Sequence, residues 1–167
     1  DSKGQSHLFQ NIVCQGTNFQ IAWYLCPGAG ISSSRLCAHA FMQGWVSWAG
    51  WPKHVVTDRG LHNRGLFSRL LGAHGISIKN VGLESPEQLG RTERHGGMWK
   101  RVARKAVTAQ KVDGPDEMMV LALSINCQLN DGARRGGFAP SQWVLGKFPR
   151  NPGNIHNEDA RAAKGTC

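Results

Sequence analysis

Two stretches of the sequence set a carboxylate beside arginine and glycine: Val55-Val56-Thr57-Asp58-Arg59-Gly60 and Ser85-Pro86-Glu87-Gln88-Leu89-Gly90-Arg91-Thr92-Glu93-Arg94. Singly, each has an ordinary explanation. An aspartate after a strand often forms a turn or caps a helix, and a glutamate in a first helical turn meets the helix dipole favourably. Together they offer more. Carboxylate oxygens from two separate elements, with 34 residues between Asp58 and Glu93, can converge on a hard divalent cation, whose charge offsets their mutual repulsion. Arg59, Arg91 and Arg94 stand at the same places and suit phosphate oxygens.

The elements that must position these groups are legible in outline. Residues His7–Cys14 and Asn18–Tyr24 are β-rich runs split by Gln15-Gly16-Thr17, an antiparallel hairpin. Ser32, Ser33 and Ser34 offer N-cap hydroxyls to a helix reaching about Trp48, with Cys37, Phe41, Trp45 and Trp48 recurring at steps of three and four. Lys53–Thr57 is a short β-branched strand that delivers Asp58 at its C-terminal end, where ligands bind in sheets with helical crossovers. A helix to about Ala73, a strand Ile76–Val81 and a loop Gly82–Gly90 follow. The spacing then predicts helices over Arg91–Lys111 and Asp116–Leu129, and a last short element over Ala139–Phe148. The order β-β-α-β-α-β-α-α predicts one α/β layer domain over 1–150, a mixed sheet with helices on its faces, followed by a polar, frayed tail over 151–167.

Charge narrows the partner. Lys and Arg number 20 against 11 Asp and Glu, a formal net charge of +9, which is high for an enzyme of small anionic metabolites and points to a polyanion. At 100° per residue Lys100, Arg101 and Arg104 lie within about 80° of the Glu93 direction on the same helix, placed to grip a phosphate backbone. Trp45, Trp48, Trp51, Trp99 and Trp143 read as packing residues rather than base-stacking ones. His62 near Asp58 and His95 near Glu93 read as exposed histidines.

The five cysteines are scattered and never paired at metal-ligand spacing, so zinc is not expected, and they read as reduced, mostly buried thiols of an intracellular protein. No apolar run approaches the roughly 20 residues of a membrane helix. The opening Asp1-Ser2-Lys3-Gly4 reads as a turn between strands, so more of the protein is expected upstream.

Taken in this order, the two carboxylate segments resemble the integrase catalytic core of LTR retrotransposons and retroviruses, whose hallmarks are D-[NR]-G and S-P-x-x-x-G-x-x-E-[RS]. Trp51-Pro52, Gly75-Ile76, Gly137-Phe138-Ala139-Pro140 and Leu145-Gly146 extend the resemblance over most of residues 7–150, closer to the retrotransposon branch. It implies an RNase H-like three-layer fold, and DNA integration by metal-dependent phosphoryl transfer. In that chemistry a pair of Mg²⁺ or Mn²⁺ ions generates the nucleophile and stabilises the leaving oxygen. Asp58 and Glu93 would be two of three catalytic, metal-binding carboxylates. Arg59, Arg91, Arg94, Lys100, Arg101 and Arg104 would contact nucleic acid. The resemblance further implies a homo-oligomer acting on element ends and target DNA, and a nuclear site of action.

The pattern also departs from the family. The third carboxylate belongs to an opening strand that would precede residue 1, and Asp1 falls in the loop after it, so the chain is expected to lack its first strand and one ligand. The Asp58-to-Glu93 spacing is one residue short of the usual, with Glu87 a weaker substitute. Two other readings stay open: a catalytically inactive or host-adopted nucleic-acid-binding remnant, and a related RNase H-like nuclease or DNA transposase.

Overall fold

A computed structural model describes residues 1–30, 32–57, 60, 65–80, 86–132 and 137–146. Strands β1 (His7–Val13) and β2 (Gln20–Pro27) form the expected hairpin, pairing Val13 with Gln20 at the turn and slipping by one residue between Leu8 and Phe9. Asn18, at φ 61, supplies the left-handed residue that lets the chain reverse. Side chains alternate across the ribbon. Phe9 and Asn11 of β1, with Gln20, Ala22 and Tyr24 of β2, face one helical layer, while Ile12 and Trp23 face the other.

Helix α1 (Ser34–Phe41) is capped by Ser33, whose hydroxyl accepts from Leu36 N at 3.2 Å. The single helix expected as far as Trp48 is interrupted. Met42–Val46 widens into a π-helical turn before the three-residue helix α2 (Ser47–Ala49). Gly44 lies buried in that turn, and a Cβ there would come 2.8 Å from the Trp23 ring, so the hairpin presses on the helix where only glycine fits.

Strand β3 (His54–Thr57) pairs in parallel with β4 (Ser77–Asn80), Val55 opposite Ile78, and the crossover between them carries α3 (Leu66–Ala73). Ser34 of α1 accepts the N–H of Phe67 at 2.9 Å, and Phe41 meets Phe67 edge-on at 5.5 Å. Ala38, Phe41, Phe67, Leu71 and Ile76 form this core, with Ile12 of β1 and Val55 and Ile78 of the parallel pair packed against it. One helical layer therefore floors both strand pairs. Strand content is mixed as expected, but among the described residues the four strands stand as two pairs, β1-β2 and β3-β4, not as one continuous sheet.

The second layer is α4 (Pro86–Gln110) and α5 (Gly114–Gly132), followed by α6 (Pro140–Leu145). Helix α4 begins five residues before the expected Arg91 because Pro86 opens it instead of sitting in a loop; proline tolerates the first helical turn, where its missing N–H has no partner to lose. Trp99, Ala103, Met118, Leu121, Ala122 and Ile125 bury the layer's apolar faces. Among the described residues no helix is long and apolar enough to cross a membrane.

Polar side chains carry the contact between α5 and the hairpin. The outer edge of β2 is paired not by a strand but by two asparagines one helical turn apart. Asn126 accepts from Ala22 N at 3.0 Å and donates to Ala22 O at 3.2 Å, and Asn130 accepts from Gln20 N at 2.8 Å and donates to Gln20 O at 2.7 Å. The Asn126 oxygen also accepts from Trp99 Nε1 of α4 at 3.1 Å. Both amides are buried. Removing one strands a buried N–H and C=O together, so Asn126→Ala is expected to destabilise the fold by about 3 kcal/mol. A stability from urea unfolding within about 0.5 kcal/mol of the parent would show that water replaces the amide.

Candidate nucleic-acid and metal site

Glu93 lies in the second turn of α4, not the first as the sequence spacing predicts, because the helix starts at Pro86. Its side chain is exposed, and among the described residues it has no hydrogen-bond or ion-pair partner. Such a carboxylate, flanked by Arg91 and Arg94 yet paired with neither, has the oxygen donors a hard cation takes. Asp58 and Arg59 lie outside the described residues. The strand that leads to Asp58, His54–Thr57, is formed as expected. His62 and the side chain of Glu87 likewise lie outside the described part of the chain.

The basic residues separate into two kinds. Arg94, Lys100, Arg101 and Arg104 are exposed along α4. Arg91 is half-buried and its guanidinium donates to Gln15 O at 2.8 Å, tying α4 to the hairpin turn. Gly97, one turn beyond Glu93, is also exposed, and a Cβ there would meet nothing within 4 Å. The face that carries Glu93 therefore has a bare patch of backbone between the carboxylate and the lysine and arginines that follow.

A polar chain under this face sets the height of α4. Gln20, fully buried, donates through Nε2 to Asn11 Oδ1 at 2.8 Å and to His95 O at 3.2 Å, and its Oε1 lies 3.3 Å from His95 Nδ1. Asn11 in turn donates to Thr92 O at 3.4 Å. These bonds grip the backbone on both sides of Glu93. His95, expected as an exposed histidine, is half-buried here, and nothing in the helical periodicity marks it as Gln20's partner. Burial, then the charges of Arg91 and Arg94, hold its pKa below the ordinary 6.5.

Asp1 sits in the turn before β1, as expected, with both carboxylate oxygens engaged. Its Oδ1 accepts from the backbone N–H of Lys3 and Gln5 at 3.1 and 2.8 Å, and its Oδ2 from His7 Nε2 and Gly114 N at 3.1 and 3.4 Å, so it serves as a turn and loop anchor. Trp99 is core, but Trp143 is 55% exposed and packs edge-on against exposed Phe138. None of the four described cysteines forms a disulfide; Cys37 is buried, its Sγ 3.1 Å from Ser32 Oγ, and Cys127 is exposed. No group of three or more His, Cys, Asp or Glu able to hold a metal occurs among the described residues, from which Asp58 is missing.

No protein-family model matches the chain, and no curated protein does. Solved structures do. The HTLV-2 integrase catalytic core domain in complex with magnesium, in its trimeric form, superposes with a TM-score of 0.64 at 17% identity, covering 84% of this chain and 91% of that one. The catalytic core domain of BIV integrase gives 0.65 at 14%, covering 85% and 91%. The fold is that of a retroviral integrase catalytic core. The likeness is one of architecture, and the α/β, RNase H-like expectation is met. A third match, at 0.61 and 14%, is to a chain of a simian T-cell lymphotropic virus intasome in complex with a PP2A regulatory subunit, covering 89% of this chain and 55% of that one.

The depressed pKa of His95 sets a sign for acid stability. A histidine held neutral in the fold contributes fully above 6.5; as pH falls through that value the unfolded chain takes the proton first, and stability is lost until the lower folded pKa is reached. The drop in urea midpoint between about pH 7.5 and pH 5.5 should therefore shrink in His95→Gln. An equal drop in both proteins would show that His95 does not set the acid sensitivity.

Proposed function

We propose that this chain is the catalytic core of a retrotransposon-type DNA integrase. Its intact parent would cut the ends of element DNA and join the exposed 3′ hydroxyls to target DNA. Glu93 carries the reading: an exposed, unpartnered carboxylate in an integrase-core fold, on a helix whose same face goes on to present Gly97, Lys100, Arg101 and Arg104. Asp58, one residue beyond β3, is the second proposed ligand, and the third would come from an opening strand upstream of Asp1. The pair of Mg²⁺ or Mn²⁺ ions these carboxylates would hold supplies charge for a nucleophilic oxygen and a leaving oxygen. The chain's own residues do the rest. Gln20 and Asn11 fix the backbone at Glu93, while Arg94, Lys100, Arg101 and Arg104 bind DNA phosphates, with Arg59 just after β3 and Arg91 in the second turn of α4.

Magnesium is present in the HTLV-2 core structures, which occur in dimeric and trimeric forms. Self-association is proposed for this chain too, in keeping with exposed Met119, Val120 and Leu123 on one side of α5. Action on DNA places it in the nucleus. A second reading, an inactive nucleic-acid-binding remnant, draws on Asp1, whose carboxylate oxygens are both taken up by His7 and by backbone N–H groups and so supply no metal ligand.

Strand joining by the full-length parent in Mg²⁺ or Mn²⁺ separates the two. Asp58→Asn and Glu93→Gln should each lower joining by at least about 100-fold while duplex binding stays within about twofold. Undiminished joining in either variant sinks the enzyme reading, and binding by a parent that never joins DNA supports the remnant. Binding itself should be salt-steep. Lys100→Ala with Arg104→Ala should reduce the slope of log K against log salt by about 0.9 for each phosphate no longer neutralised, equally on unrelated DNA sequences. An unchanged slope would show that this face does not meet DNA.

A further inference from the structure

We propose that Trp51 and His74 form a stacking platform for single-stranded DNA, separate from the helix face that carries Glu93. The two rings lie 3.8 Å apart, centroid to centroid, at an interplanar angle of 19°. Strand register explains why they meet. His54 pairs with Ser77, and Ser77 N donates to Lys53 O at 3.1 Å. Trp51 and His74 each stand three residues before that first pair, so the loops entering β3 and β4 bring the rings together. Gly50 and Gly75, at φ 74 and 66, turn the chain beside each ring. His74 is pinned through Nδ1, which donates to Leu70 O at 2.9 Å. The platform is thus preformed, on the β4 side of β3. Four strand residues, roughly 13 Å of chain, separate it from the end of β3 that leads to Asp58.

The surroundings select the occupant. Trp51, expected as a packing residue, belongs to neither buried cluster; it is 40% exposed, and His74 is exposed as well. Because His74 covers one face of the indole, what stays open is the other face and the edges. A Cβ at Gly50, Gly72 or Gly75 would meet nothing within 4 Å, so a flat ring can approach unhindered. Lys53, His54 and Lys79 are exposed in and beside the same strand pair. From Ser2 to Leu83 the only acidic residue is Asp58, which leaves this end of the molecule attractive to phosphate. An open aromatic plane among cations is the means by which proteins hold unpaired bases. Duplex DNA cannot use it, because its base faces are already covered by their neighbours. A protein partner would need an apolar centre wider than one ring pair.

The choice of DNA rests on the function proposed above, but the stacking is tested without metal or strand joining, so the two can fail separately. The probe is a fluorescein-labelled oligothymidine of about twelve nucleotides, compared by anisotropy with an abasic strand of equal length and charge. The abasic strand should bind at least about fivefold more weakly. In the isotopically labelled protein, oligothymidine should shift the indole N–H signal of Trp51. Trp51→Ala should lower the affinity for oligothymidine at least about fivefold and Trp51→Phe restore it to within about twofold, while duplex binding by both variants stays within about twofold of the parent. The abasic control alters the ligand and leaves the protein intact, so a folding defect cannot imitate the result. Three outcomes overturn the proposal: equal affinity for the abasic strand, a shift of another indole in place of Trp51, or tighter binding of a uridine oligoribonucleotide than of oligothymidine. Binding that weakens as protein concentration rises would assign the rings to a second copy of the chain, and would overturn it as well.

Discussion

A single side-chain oxygen holds the architecture together. Asn126 Oδ1 accepts from the backbone of Ala22 on β2 and from the indole of Trp99 on α4, so three elements meet at one buried acceptor. With Asn130 a turn later, α5 does for β2 what a neighbouring strand would do, supplying a donor and an acceptor to alternate residues. A buried amide is worth having only when every one of its groups is satisfied, and here the satisfaction fixes the hairpin's register against the helices. Ser141 of α6 adds a bond to Asn130 O at 3.2 Å and seats the last helix on the same point.

From that frame the position of Glu93 follows. Trp99 anchors the middle of α4, Phe9 packs 4.7 Å from its ring, and the Gln20–Asn11–His95 chain holds the turn where Glu93 emerges. Arg91 reaches the hairpin turn from the other side. The carboxylate is thus exposed while the backbone on either side of it is held by the hairpin. Ile12 of the hairpin and Val55 of the strand that leads to Asp58 pack against one buried cluster on α1 and α3.

Much of this was legible in the sequence, for physical reasons. The hairpin shows because its two β-rich runs are separated by a glycine-bearing turn, and β3 because His54-Val55-Val56-Thr57 is β-branched beside Pro52. Helix α5 shows through its apolar spacing. What escaped was set by tertiary packing. Asn126 and Asn130 sit at helical spacing among apolar residues, and a periodicity argument assigns polar side chains to solvent unless a strand edge is known to lie opposite. The π-turn at Gly44 exists because Trp23 presses there, and Trp23 is far away in sequence. Pro86 reads equally well as a loop residue or a first helical residue, and that ambiguity moved Glu93 by a turn. The split into two strand pairs is likewise invisible to any local pattern.

Asp58 and Glu93 are proposed to serve one metal centre. Titrating Mn²⁺ into the isotopically labelled protein and following paramagnetic broadening of backbone signals tests it most directly, because the effect falls steeply with distance from the ion. Signals around residue 57 and around residue 93 should broaden together at the same Mn²⁺ concentration, and Asp58→Asn or Glu93→Gln alone should abolish both. Broadening at one segment without the other, or loss of one set while the other persists, would contradict it.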